Sequence, residues 1–167
     1  MPDTEYAARL ATRDDAAVIV DFNLAMARET ESLELSQATL AAGVRHLFDN
    51  PQFGFYVVAE ARGPGGGAGE CAGSLLITYE WSDWRDGLFW WVQSVYVRAE
   101  HRRRGVYTVL DEFVKRLAAE DPRVRGFRLY VERENVAAQH TYERLGMSET
   151  HYKMYEAALE RAAAEKS

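Results

Sequence analysis

Gln93-Ser94-Val95-Tyr96-Val97, followed closely by Arg102-Arg103-Arg104-Gly105-Val106-Tyr107, decides how this chain is read. The first run, valine-rich with an aromatic, reads as a buried strand. The second opens an amphipathic helix, because Val106, Val109, Leu110, Phe113 and Leu117 recur at spacings of three and four. A strand, an arginine-rich glycine turn and a helix start together make a holder for phosphate. The first amides of a helix have no internal partner, and the helix dipole adds partial positive charge there. Farther on, Asn135 and the run Tyr142-Glu143-Arg144-Leu145-Gly146-Met147 close a second strand–helix unit. A tyrosine on that second helix, beside a phosphate holder, points to an enzyme with a phosphate-bearing cofactor.

Working outward, the 167 residues read as a single domain, with its core over about 6–155 and a tail over 156–167. The net charge of −6 argues against general nucleic-acid binding. The charge is uneven, with acids such as Asp14, Asp15, Glu29 and Glu31 early and arginines clustered from Arg98 to Arg133. One face is therefore expected to hold an anionic ligand and another to draw a cationic one. Cys71 is the sole cysteine, so no internal disulfide exists, and its Ala/Gly/Leu surroundings read as a buried, inert thiol. No apolar run approaches the roughly 18 residues of a membrane span. The acidic start lacks the apolar stretch of a signal peptide. The expectation is a soluble, cytoplasmic protein with no membrane partner.

Along the chain, Tyr6 to Ala11 reads as a strand, and Thr12 with Asp15 caps a first helix. Ser36 starts a second helix, ending near Asn50-Pro51. Phe53 to Ala61, Cys71 to Glu80 and Leu88 to Val97 read as strands in meander. The glycine-rich Gly63 to Gly69 lacks the Gly-Lys-Ser/Thr ending of a phosphate loop and reads as a hairpin connection. Phe127, Leu129 and Val131 alternate as a further strand. Asn135 to Leu145 reads as a helix stopped by Gly146, and Met147 to Tyr155 as a last strand. The order is that of a mixed α/β domain. No histidine makes metal spacing with another histidine or cysteine, so no metal is expected.

This order and these motifs resemble the GCN5-related N-acetyltransferase (GNAT) superfamily over about Tyr6 to Tyr155. Its cofactor motif, Gln/Arg-x-x-Gly-x-Gly/Ala, is met by Arg102 and Gly105, with Tyr107 where Gly or Ala is usual. A second motif, Asn-x-x-Ala, then Tyr, then Leu-Gly-Phe/Met, is met by Asn135, Ala138, Tyr142, Leu145, Gly146 and Met147. The resemblance implies a mostly antiparallel twisted sheet, splayed between its fourth and fifth strands and flanked by about four helices. It implies acetyl-CoA as cofactor and coenzyme A as product, bound by the main chain of Val95, Tyr96 and Val97 and by Arg102, Arg103, Arg104, Gly105, Val106, Tyr107, Asn135 and Tyr142. Tyr107 packs either beside the cofactor or into the core.

Acetyl transfer from a thioester needs a neutral amine, donors for the developing oxyanion and a proton for the departing thiolate. By resemblance Tyr142 is the general acid, and an amide near Val95 serves the oxyanion. Many relatives carry a glutamate near the position of Gln93, and a glutamine cannot take the amine's proton. Glu80, Glu29, Glu31 or a water relay are left as the base, with Gln93 orienting substrate. Carboxylates and rings at Glu29, Glu31, Tyr79, Glu80 and Trp84 suit an ammonium group. The expected function is therefore transfer of acetyl to a small, cationic primary amine by direct attack in a ternary complex. Acetylation of a protein or peptide amine, or a non-catalytic acyl-CoA-binding module, is the alternative. The protein is expected to be a monomer or a homodimer.

Overall fold

A computed structural model describes residues 5–63 and 69–159, which fall into two compact units divided between Tyr130 and Val131. In the first, alternating apolar positions build strands and three-to-four spacing builds helices. Their order is β1 (Glu5–Leu10), α1 (Ala16–Glu31), α2 (Gln37–Asp49), β2 (Gly54–Arg62), β3 (Glu70–Ser82), β4 (Gly87–Val97), α3 (Val106–Glu120) and β5 (Val124–Arg128). The sheet runs β1-β2-β3-β4-β5. Its first three pairings are antiparallel, and the last, across the α3 crossover, is parallel.

Period-two alternation gives the sheet two apolar faces. One packs Val57, Ala59, Leu75, Ile77, Trp90 and Val92 against Val106, Leu110, Val114 and Ala118 of α3. The other packs Tyr56 and Val58 against Ile19 and Val20 of α1 and Val44 of α2. The start of α1 is tied down by polar contacts. Thr12 N–H donates to Asp15 at 2.7 Å, and Arg9 bridges Asp15 and Glu60, each at 2.7 Å. Ser36 caps α2 by accepting from the amide of Thr39. β2 and β3 pair out to Ala61 and Glu70, as a hairpin requires, while residues 64–68 of the expected connection lie outside the described residues.

The last sheet strand begins earlier and ends earlier than its alternation predicts. Its ladder with β4 runs only from Leu88–Val124 to Trp91–Arg128. Leu129 keeps the alternation, packing against the α3 core, but has no ladder. Alternation sets which side a residue faces; a strand also needs a neighbour for its amides.

In the second unit, Asn135 accepts from the amide of Ala138 to cap α4 (Val136–Arg144). Gly146, at φ +91°, stops that helix. Gly146 N–H reaches the Glu143 carbonyl and Met147 N–H the Tyr142 carbonyl, the pair of bonds that closes a helix at a left-handed glycine. The strand expected over Met147 to Tyr155 does not form. Tyr152 and Tyr155 are exposed, and no ladder supplies the hydrogen bonds a strand needs. Among the described residues no helix is long and apolar enough to cross a membrane.

Candidate functional site

The site is built on a fault in β4. Leu76 opposes Gln93 and Ser74 opposes Tyr96, so two residues of β4, Ser94 and Val95, face the single Leu75 of β3. This is a β-bulge, and within it Ser94 takes a left-handed conformation, φ +49°. The extra residue resets the alternation. Trp90 and Val92 face α3 before the bulge, and Val95 and Val97 face α3 after it. Gln93 and Tyr96 therefore share the opposite face. Pairing with β5 has ended by Trp91, so the outer edge of β4 from Val92 to Val97 has no ladder partner among the described residues. A bulged strand with an unpaired edge offers main-chain groups to an extended ligand, as one more strand would.

That edge leads into a turn, Ala99–His101, and then the arginine run. Arg103 and Gly105 both have positive φ, +60° and +82°. Gly105 is the N-cap of α3 and carries no capping side chain, so the first turn is left without a side-chain acceptor. A Cβ at Gly105 would meet nothing within 4 Å, so the demand for glycine is one of φ and the ground before the helix is open. Val106 is buried against Gly73, where a Cβ would come within 2.6 Å of the Tyr96 carbonyl. Glycine there lets α3 start close to the sheet. Tyr107 packs against the α3-side core. These features fit a diphosphate with an extended arm.

Arg102 turns back toward α1. Its Nε donates to the Val97 carbonyl at 2.9 Å and its Nη2 to Glu29 at 2.5 Å. Tyr96 hydroxyl donates to the other Glu29 oxygen at 3.0 Å, and the guanidinium lies 5.6 Å from the Tyr96 ring centre. Arg102 holds the Glu29 carboxyl below its usual range, while burial and the Glu29 acceptor push the Tyr96 phenol up. Glu29 is therefore a bound anion, poorly suited to take a proton. Glu31, two residues on, is exposed.

On the same sheet face, Glu80 accepts from Trp91 Nε1 and from Arg128, each at 2.5 Å. Both carboxylate oxygens are thus engaged. Glu80 also stands four residues beyond the Leu76–Gln93 pair, about 13 Å along the strand. Gln93 donates to Thr78 Oγ1 at 2.5 Å. Tyr79 does not join Glu80. It points to the α3 face and packs with Phe55 and Trp90, ring centres 6.3 and 6.1 Å away, as alternation requires of a neighbour in sequence. Trp84 lies in the Asp83–Arg85 turn before β4, 87% exposed, at the opposite end of that strand from the bulge. The acid-aromatic lining expected from sequence is not assembled as one pocket.

In the second unit, Asn135 is engaged as the α4 cap, and burial raises the Tyr142 phenol above its usual value. The Cys71 thiol is also raised by burial, which keeps it protonated at neutral pH. The partners Thr78, Trp91 and Arg128 were not singled out as site residues from sequence. Only the pairing register shows that they stand on the face of Gln93 and Glu80. His101 belongs with β1, accepting from or donating to the Tyr6 hydroxyl at 3.0 Å.

A bulged strand with an open edge, feeding a glycine-capped helix, offers a place for an extended, phosphate-bearing ligand. The family model described as acetyltransferase (GNAT) family matches residues 21–147, and the chain belongs to that family of enzymes. A possible acetyltransferase from Clostridium difficile 630 is 40% identical, with 92% of this chain and 97% of that one covered at a TM-score of 0.82. Two more distant structures share the fold. A predicted acetyltransferase with acetyl-CoA from Clostridium acetobutylicum is 14% identical, covering 92% of this chain and 96% of its own at TM-score 0.71. AAC(6')-Iy in complex with the bisubstrate analogue CoA-S-monomethyl-acetylneamine is 15% identical, covering 93% and 99% at TM-score 0.71. No curated protein matches the sequence.

Proposed function

We propose that this enzyme is an acetyl-CoA-dependent N-acetyltransferase that moves acetyl to a primary amine by direct attack in a ternary complex. The observation that carries the reading is the bulge at Ser94, which leaves the far half of β4 open just before the glycine-capped start of α3. The cofactor supplies an activated acetyl thioester. The main chain of Val95, Tyr96 and Val97 would bind its arm. The amides of residues 103–107, with Arg102, Arg103 and Arg104, would bind its phosphates. An amide near Val95 donates to the developing oxyanion. Gln93, steadied by Thr78, orients the amine, whose proton leaves to solvent. Glu80 is assigned a positioning role, holding Trp91 and Arg128 where β4 and β5 part, in place of proton abstraction. Tyr142 protonates the departing thiolate, and Asn135 shapes the start of its helix; both assignments rest on the family motif. The acceptor we favour is a small amine, with the fold relative bound to an acetylneamine conjugate as supporting analogy.

The test is thiol release from acetyl-CoA across amines, amino acids, polyamines, aminoglycosides and short peptides, with acetyl-CoA alone as blank. A small amine turned over above the blank supports the reading. Turnover confined to peptides would move the acceptor to protein amines. A blank plate from protein that binds acetyl-CoA would favour a binding module.

A further inference from the structure

Arg102 serves two sites at once. It is the arginine of the cofactor motif, yet its guanidinium is bound to Glu29 at the end of α1 and to the Val97 carbonyl on the open edge of β4. Tyr96 completes the ring of contacts through the second Glu29 oxygen. The Nε–Nη2 edge of a guanidinium presents two donors side by side, here given to Val97 and Glu29, and a phosphate fits that edge as a carboxylate does. Phosphate oxygens that approach Gly105 compete with Glu29 for that edge and for the charge it carries. An extended arm on the Val97 carbonyl shares that oxygen with the Nε donor.

We infer that Glu29 and the cofactor's phosphates exchange on Arg102, so that cofactor binding frees the Glu29 carboxylate at the end of α1 for the acceptor's ammonium. This rests on the cofactor reading above. The exchange makes Glu29 a positioning residue for the cofactor, acting through Arg102. It also couples the two substrates, since whatever releases Glu29 favours a cation there and a cation on Glu29 favours the cofactor. Glu29 and Arg102 are each a little under half exposed, so the pair is modest in strength and can be exchanged.

Calorimetric titration of coenzyme A, and of pantetheine as a probe without phosphates, tests this on the wild type, Glu29→Gln, Arg102→Ala and the double variant. Thermal melting of each confirms folding. Glu29→Gln should bind coenzyme A about threefold to fivefold tighter, the scale of a partly exposed ion pair. Its affinity for pantetheine should not change. In the Arg102→Ala background the Glu29 change should have no effect. Unchanged or weaker coenzyme A binding by Glu29→Gln would overturn the exchange, as would equal tightening toward pantetheine. Failure of the wild type to bind coenzyme A at all would instead sink the cofactor reading. Tyr96→Phe gives a second check, because removing one donor to Glu29 should tighten coenzyme A in the same direction by a smaller factor.

Discussion

The two halves of β4 do different work. From Leu88 to Trp91 the strand is paired on both edges, and its rings are locked among Phe55, Tyr79 and Phe127 on one face and Glu80 and Arg128 on the other. From Gln93 to Val97 it is bulged, paired on one edge and polar on the α1 face. A main-chain edge cannot be both paired within the sheet and available to a ligand. The first half holds the sheet; the second half is left open, and stability supplied by the first makes that tolerable.

The largest expected effect lies in the first half. Trp90 is 5% exposed within an aromatic cluster, and Trp90→Ala should lower stability by about 3–5 kcal/mol in denaturant unfolding. A loss under 1 kcal/mol would mean that this half is not the anchor. Next, if the open half delivers a thioester to the motif tyrosine, Tyr142→Phe should lower kcat by about 100-fold or more, with coenzyme A affinity kept. The raised phenol should also hold kcat without an acid-form loss up to the ordinary tyrosine range.

Deletion of Ser94 separates the halves most cleanly. It removes the extra residue yet keeps Val95 and Val97 on the α3 face and Gln93 and Tyr96 on the other, because regular alternation is restored. The melting temperature should be kept, and coenzyme A affinity should fall by about tenfold, or about 1.4 kcal/mol. Full binding by the deletion variant would break the assignment of function to the bulge.

The smallest effect is a control at the far edge of the sheet. Arg9 holds the Asp15 carboxyl below its ordinary value, so Asp15 binds a proton more readily when unfolded. Its stabilisation is present above the unfolded value near 4 and is lost as pH falls through the lower folded value. Melting of wild type against Asp15→Asn from pH 7 to pH 2 should show a gap of about 1 kcal/mol at neutral pH that closes in acid. Coenzyme A binding should be untouched.

Much of this was legible because it depends on local chemistry. Thr12, Ser36, Asn135 and Gly146 mark helix ends by capping, which acts within a few residues. The arginine–glycine run and the Leu-Gly-Met ending are contiguous, and Trp90 and Trp91 facing opposite ways follows from period two alone. The acceptor lining was not legible. Glu29 and Glu80 read as carboxylates open to a cation, yet each is bound to an arginine distant in sequence, Arg102 and Arg128. Tyr79 and Glu80 looked like neighbours in one pocket and are separated by the thickness of the sheet.

The sequence by itself thus determined the order of elements as far as α4, the helix ends, the arginine–glycine turn and the family, since each is written in residues close together in the chain. Only the tertiary structure decided where β4 gains its extra residue, where the ladder to β5 stops, why Met147 to Tyr155 stays out of a strand, and which carboxylates are held by arginines. Those outcomes depend on which strands become neighbours and in what register. Pairing energy belongs to two segments at once, so no single segment can announce it.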